Sequence, residues 1–377
     1  MQIVLLEPFM TGSHAAWARQ YAAASRHDIE ILGLDGKYWK WRMHGGAVTL
    51  AQRFLAIDCQ PDLLLASDML DLTTFLALTR AKTANIPAVL YCHENQLSYP
   101  WSPQDADPGL QRDAHYAFIN YASALAADAV LFNSSFHRHD FLQRLPSFLQ
   151  SFPDHQQSDN VQTIAAKSRT LPVGLDLARF DSLRPVEFGQ DRWRRADRPP
   201  LLLWNHRWEY DKDPETFFRA LFALQERGVP FELAVLGESY QRRPAIFAQA
   251  RERLKAQIVH WGYVESFSDY ATWLWRADLL PVTSMHDFFG ISVVEAIYCG
   301  CRPLLPNRLA YPEHLDPAVW PDCFYQDFDQ LLETLTRLGQ CPRESANPQL
   351  RAQVARYDWG QLVNDYDCLL EQVATRR

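Results

Sequence analysis

The feature that most constrains this chain is a rhythm in which short apolar runs alternate with amphipathic segments from end to end. Runs at residues 3–6, 28–32, 63–65, 88–91 and 129–132 read as buried strands, with helical candidates between them. The rhythm restarts at residues 201–204, 232–236, 258–261, 279–282 and 303–305. Alternation of this kind is that of βα units on mostly parallel sheets, so an α/β fold of two Rossmann-like domains is predicted. Pro185, Pro199 and Pro200 bracket the polar stretch DRWRRADR, a composition suited to a join. The expected organisation is an N-terminal domain over 1–185, a linker over 186–200, a C-terminal domain over 201–349, and a helix over 350–377 packing on a domain surface. Doubly wound sheets bind ligands beyond their strand C-termini, so two such domains are expected to face a central cleft.

A chain of 377 residues, 47% hydrophobic and 22% charged, can bury two cores. No apolar run approaches the roughly 18 to 20 residues of a membrane span. The N-terminal MQIVLLEPF lacks a basic start and reads as a first strand rather than a signal peptide. Seven cysteines without a CxxC pair indicate neither a disulfide framework nor a zinc site, and a reducing, cytoplasmic setting is expected. A net charge of −8 argues against non-specific coating with nucleic acid, which depends on neutralising phosphates. Local basic sites remain at KYWKWR and around Arg192, Trp193, Arg194, Arg195 and Arg198.

The chemistry concentrates at two strand-to-helix turns of the second half. NHRWEYDKDPETFF places Arg207 and Lys212 where backbone N–H groups converge, a good diphosphate clamp, with a pair of solvated loop charges as the plain alternative. HDFFGISVVEA then brings Asp287, Phe289 and Gly290 to a turn, with a helix starting near Gly290. Free N–H groups around Ile291 and Ser292 favour a phosphate there. Glu295 sits among Val293, Val294, Ala296 and Ile297, where a carboxylate needs a partner, and a ribose hydroxyl pair is a suitable one. A nucleotide base is expected at backbone groups around Gly262 and Tyr263. DxD triplets at Asp105/Asp107, Asp211/Asp213, Asp327/Asp329 and Asp365/Asp367 read as chance in an Asp-rich chain rather than metal sites, and those after Arg207 and near the C-terminus fit turns and helix surfaces. His137 and His139 cannot share a helix face, so they too are no metal pair.

The Arg-x4-Lys turn followed by an acidic-x7-Glu turn resembles the GT4-type retaining glycosyltransferases of GT-B fold. The resemblance implies that Arg207 and Lys212 hold the donor diphosphate, Glu295 the ribose, and Asp287 with Gly290 the transferred hexose. That family usually has Glu where this chain has Asp287. Further segments, EPFMTGSH, KYWKWR, YCHENQLSYP, FNS, VLGE and HWGY, resemble the tRNA-queuosine α-mannosyltransferases over most of the chain. The implied reaction moves mannose from GDP-mannose to the cyclopentene ring of queuosine in the anticodon of an aspartate tRNA, without a metal cofactor and with retention. His93 is implied to contact the sugar near the reacting carbon.

The N-terminal motifs suit that task. Gly12 in the TGSH turn allows close backbone approach to the donor, and His14 opens the next helix on the acceptor side, with Glu94 and Asn95 beside His93. KYWKWR interleaves Lys37, Lys40 and Arg42 with Tyr38, Trp39 and Trp41, the cation-and-aromatic pattern that binds unpaired RNA loops. Its alternative is a strand or hairpin with a half-buried aromatic face. Two other functions stand beside the first: a glycosyltransferase of this fold with another sugar nucleotide or acceptor, and a catalytically silent sugar-nucleotide- or RNA-binding protein.

Overall fold

A computed structural model describes residues 1–102, 105–110, 114–185, 198–238, 244–340 and 348–375. It divides into two compact units, the first Met1–Leu175 with Tyr357–Arg377, the second Asp176–Arg356. The chain therefore passes between units at Leu175 and returns at Tyr357, while the expected linker falls largely outside the described residues, Arg192, Trp193, Arg194 and Arg195 included.

The first unit holds β1 (Gln2–Met10), α1 (Gly12–Ala24), β2 (Asp28–Asp35), α2 (Trp39–Ala56), β3 (Leu63–Ser67), α3 (Leu72–Thr83), β4 (Ala88–Cys92), α4 (Ala114–Ala126), β5 (Ala129–Phe132), α5 (Ser135–Gln150), α6 (Asn160–Lys167) and β6 (Ser168–Thr170). Its strands pair in parallel in the order β2-β1-β3-β4-β5-β6. β3, β4 and β5 are buried along their whole length, which is why they read as unbroken apolar runs.

The second unit holds α7 (Ala178–Asp181), β7 (Leu201–Trp204), α8 (Pro214–Glu226), β8 (Glu232–Val235), α9 (Ile246–Arg253), β9 (Ile258–Trp261), α10 (Phe267–Arg276), β10 (Leu279–Pro281), α11 (Ile291–Tyr298), β11 (Arg302–Pro306), α12 (Tyr311–His314), β12 (Phe324–Tyr325), α13 (Phe328–Gln340) and α14 (Pro348–Val354). Its parallel order is β12-β11-β10-β7-β8-β9. Each sheet changes direction of winding once, between β1 and β3 in the first and between β7 and β10 in the second. Loops leaving those strands diverge, opening a crevice that side chains can line.

The expected C-terminal helix is two helices, α14 in the second unit and α15 (Trp359–Ala374) in the first. One Asp of the final DxD triplet departs from the helix-surface reading, because Asp367 is buried and accepts hydrogen bonds from Tyr21 Oη at 2.9 Å, Ser25 Oγ at 2.6 Å and the Arg26 amide at 3.1 Å. KYWKWR is neither strand nor hairpin. It enters α2, whose Met43, Ala47, Leu50, Ala51 and Phe54 form a buried stripe at helical spacing.

Candidate active site

In the second unit the loops after β7 and β10 meet at the reversal. Lys212 is buried, and its ammonium donates to the His286 carbonyl at 2.9 Å while lying 3.1 Å from Asp211 Oδ2 and 3.6 Å from Asp287 Oδ2. Burial works against its charge, but the Asp287 and Asp211 carboxylates overcome that and raise its pKa, so it stays protonated. The solvated-charge alternative therefore fails for Lys212. Arg207 is exposed and pairs with Glu209 at 3.1 Å. Asp287 also accepts from Tyr311 Oη at 3.1 Å, and although burial opposes it, Lys212 helps hold its pKa below the ordinary carboxylate value.

α11 begins where the sequence placed it. Gly290 is its N-cap at φ +90°, and a Cβ there would lie 3.1 Å from the Tyr311 ring, so the turn accepts glycine on both counts. Phe289 is buried, and its carbonyl accepts from His314 Nε2 at 2.6 Å, which identifies Nε2 as the protonated nitrogen. Ile291 and Ser292 are half-buried; the Ser292 carbonyl accepts from Asn205 Nδ2 at 2.8 Å and its hydroxyl lies 3.1 Å from His206 Nδ1. Glu295 takes a 2.7 Å hydrogen bond from Tyr270 Oη, and burial lifts its pKa to about 7. It is thus a half-buried carboxylate held by one phenol, with acceptor capacity left over. Gly262, at φ +131°, donates its amide to Val235 at the end of β8, and Tyr263 beside it is exposed. Gly237 was not singled out in the sequence: at φ +95° a Cβ would sit 1.9 Å from the His206 carbonyl oxygen, so glycine alone lets the β8 turn close on the β7 turn.

In the first unit four buried polar groups gather at the other reversal. Glu7 lies on β1, Asp68 follows β3, His93 follows β4, and His14 rises from the first turn of α1. Glu7 Oε2 is 3.0 Å from His14 Nδ1. Burial lowers the His14 pKa, but the Glu7 carboxylate outweighs it and the imidazole rises to about 9. His14 is therefore a cation. Its ring centroid is 4.2 Å from that of His93, which also packs on Trp17 and Tyr91 at 4.7 and 4.9 Å. The His93 backbone is pinned at both ends, its amide donating to Asp68 Oδ1 and its carbonyl accepting from Asn133 Nδ2, each at 2.7 Å. Burial, then the His14 charge, push the His93 pKa well below the usual imidazole value, and among the described residues its buried Nε2 has no hydrogen-bond partner.

Glu7 and Asp68 were missing from the sequence reading. The available signal was a carboxylate inside or ending an apolar strand, VLLEPF and LLLASD, which is costly unless something meets it. Among the described residues, Glu7, His14 and His93 also bring ligand atoms within 4.8 Å of one another, close enough to share a cation. The Glu7–His14 hydrogen bond already satisfies two of those groups.

The remaining residues of interest scatter over the first unit. Gly12 is exposed at φ +50° at the start of α1. Glu94 accepts from Gln96 Nε2 at 2.9 Å, and the Asn95 side chain turns back to the Leu97 amide at 3.0 Å. Lys37 and Trp41 are exposed, Trp39 packs on Tyr116 at 5.1 Å, and Arg42 Nε donates to the Asp35 carbonyl at 3.0 Å. Asp105 and Asp107, one of the DxD triplets, both bind the Lys40 ammonium.

Comparison with known proteins gives this geometry a setting. A family model described as tRNA-queuosine alpha-mannosyltransferase N-terminal matches residues 2–175, and one described as glycosyl transferases group 1 matches residues 187–342. A tRNA-queuosine alpha-mannosyltransferase of Drosophila melanogaster is 34% identical over 343 residues, covering 90% of this chain and 88% of that one. A GDP-mannose-dependent alpha-(1-6)-phosphatidylinositol dimannoside mannosyltransferase of Mycobacterium tuberculosis is 25% identical over 267 residues, 70% of this chain and 61% of that one. Among solved structures, a sucrose-phosphate synthase from Thermosynechococcus elongatus superposes with a TM-score of 0.70 at 15% identity, covering 99% of each chain. At that identity the likeness speaks for the fold.

Proposed function

The chain belongs to the tRNA-queuosine alpha-mannosyltransferase family, and on that premise we propose that it moves mannose from GDP-mannose to the cyclopentene hydroxyl of queuosine in the anticodon of an aspartate tRNA. The fold is GT-B and the protein is a hexosyltransferase. The donor, the acceptor and the residue roles are the parts proposed. The observation that carries the proposal is Lys212, a buried ammonium held by Asp287 at the winding reversal of the sheet, beside the glycine that opens α11.

In this reading the second unit binds the sugar nucleotide and the first unit the RNA. Arg207, Lys212 and the amides of Ile291 and Ser292 meet the diphosphate, Glu295 takes the ribose, and backbone around Gly262 and Tyr263 takes the base. Asp287, with Phe289 and Gly290, faces the hexose. Gly12 is assigned to the donor, and His93, whose Nε2 has no hydrogen-bond partner among the described residues, to a sugar hydroxyl near the reacting carbon. His14, Lys37, Trp41, Arg42, Glu94 and Asn95 serve the acceptor, and Trp39 serves it indirectly by packing on Trp101 and Tyr116.

The bond from the anomeric carbon to the phosphate oxygen breaks while the acceptor hydroxyl bonds to the same face of that carbon. The departing phosphate takes the hydroxyl proton, so the atoms balance without a carboxylate nucleophile. Charge growing on the leaving oxygen is met by fixed cations and amides, a term commonly worth about 3 to 4 kcal/mol per well-placed donor, and the proposed step uses no metal. A tRNA acceptor supports a cytoplasmic location.

The test incubates the protein with GDP-mannose and queuosine-containing tRNA, then digests the RNA to nucleosides for mass spectrometry. Queuosine gaining one hexose is the expected result. Intact protein that leaves queuosine unchanged, while GDP-mannose is neither bound nor hydrolysed, overturns it.

A further inference from the structure

The opening of α2 contains an expensive arrangement that the transfer chemistry does not use. Trp41 is 64% and Tyr38 79% exposed, although both are large aromatics. Gly45 lies one turn after Trp41 inside the helix, where glycine is less favourable than alanine by roughly 1 kcal/mol. A Cβ on Gly45 would fall 2.7 Å from two atoms of the Trp41 ring. The indole therefore lies flat along the helix backbone, in a seat that only glycine leaves open. Tyr38, the N-cap, is held at φ +56°, a left-handed conformation rare for an aromatic residue and characteristic of sites where strain serves a purpose. His44, also exposed, continues the same face, and the exposed ring of His115 on α4 stands 6.3 Å from it.

Beneath this face the structure is anchored. Trp39 packs on Trp101 and Tyr116, and Lys40 is neutralised by Asp105 and Asp107. The KYWKWR segment is thus sorted: Trp39 and Lys40 face inward, while Tyr38 and Trp41 face solvent. A partner that covers exposed aromatic rings presents a flat face to them, with the exposed Val48 one turn beyond His44 at the margin. Unpaired nucleobases meet that description, since every base has a π-face and stacks on Tyr, Trp or His, and the exposed Lys37 beside Tyr38 offers a cation to the backbone.

We propose that Tyr38, Trp41 and His44, with His115 at the end of the row, form a stacking platform for unpaired bases of the RNA acceptor, and that Gly45 exists to seat Trp41. This rests on the RNA-acceptor reading above and goes further by assigning which aromatic residues touch RNA and which hold the helix in place.

The experiment measures binding of an anticodon stem-loop RNA, and of a fully paired duplex, to the intact protein and to Trp41→Ala, Tyr38→Ala and Gly45→Ala. Loss of one stacked base is expected to weaken stem-loop binding roughly five- to hundredfold, with duplex binding unchanged. Gly45→Ala is the decisive variant. Alanine favours the helix, so the melting temperature is expected to hold or rise while stem-loop affinity falls. Unchanged stem-loop affinity in Trp41→Ala and Gly45→Ala overturns the platform alone, and equal losses on stem-loop and duplex do the same. Intact protein that binds neither RNA overturns the acceptor reading with it. A self-association that Trp41→Ala abolishes, with RNA affinity unaltered, assigns the face to a second copy of the chain instead.

Discussion

Most of the proposed donor chemistry rests on Lys212. Removing its charge by Lys212→Met leaves the buried Asp211 and the half-buried Asp287 without their cation. Transfer from GDP-mannose is expected to fall at least about a hundredfold, the scale seen for preorganised donors, and the melting temperature should drop as well, because a stranded buried charge costs about 3 to 5 kcal/mol. A variant with full kcat/KM for the sugar nucleotide would remove Lys212 from the site. His14 supplies a prediction in pH. Its folded pKa of about 9 stands above the free value of 6.5, with burial opposing and Glu7 driving the rise. The folded chain therefore keeps a proton that the unfolded chain has released between those values. The stability from this pair is complete below pH 6.5 and is lost as pH rises through 9, on the order of 3 kcal/mol in all. Glu7→Gln should flatten that part of the curve of melting temperature against pH; an unaltered curve would mean the Glu7–His14 pair is not the cause. At this scale residue type was readable in advance for the cations, because Arg and Lys in a strand-to-helix turn are conspicuous. Glu7 and Asp68 were not, since Glu7 meets His14 only where α1 turns back beside β1, and Asp68 meets the His93 amide only where β4 lies beside β3.

Among the elements, the two glycine turns of the second unit separate two kinds of constraint. At Gly290 the φ of +90° and the Tyr311 ring at 3.1 Å both resist a side chain, but the ring can yield. At Gly237 the obstacle is the His206 carbonyl oxygen at 1.9 Å, and backbone cannot move aside without unpicking the β7 turn. Gly290→Ala is expected to cost about 1 to 2 kcal/mol, the left-handed penalty, and to weaken sugar-nucleotide binding through the start of α11. Gly237→Ala is expected to be the more destabilising of the two. Thermal unfolding of both variants, with and without GDP-mannose, checks the order, and the reverse ranking would refute it. The central strands β3, β4, β5, β7 and β10 were legible because burial along their whole length writes an unbroken apolar run. The strands left unread were β6 and β12, three and two residues long, which pair at sheet edges and are too brief to leave a pattern. The opening of α2 left a strand or hairpin as its alternative for a different reason. Its first residues alternate aromatic and cation like a strand, and the helical stripe begins only at Met43.

Over the whole molecule, the notable event is the return of the chain to its first unit. α15 inserts Asp367 beneath α1, where it collects Tyr21, Ser25 and the Arg26 amide, and Tyr366 reaches Tyr91 Oη at 2.9 Å and the Pro172 carbonyl at 2.7 Å. Asp367→Ala leaves three donors without their acceptor, and at about 1 to 3 kcal/mol for an unsatisfied buried group a loss of several kcal/mol is expected in denaturant unfolding. Asp367→Asn keeps one acceptor oxygen and should lose less; equal losses would show that the charge, not the hydrogen bonds, matters. The sequence by itself determined the two parallel sheets, the turns that carry Arg207, Lys212, Asp287 and Glu295, and the family. Those follow from local patterns, apolar period and turn chemistry, which a linear reading can count. Tertiary structure alone decided that Glu7, His14, Asp68 and His93 form one buried cluster, that Asp367 lies inside rather than on a surface, and that Trp41 faces water while Trp39 does not. Such facts depend on which strands the crossovers make neighbours and on where a helix turns its faces, and no spacing along the chain encodes either.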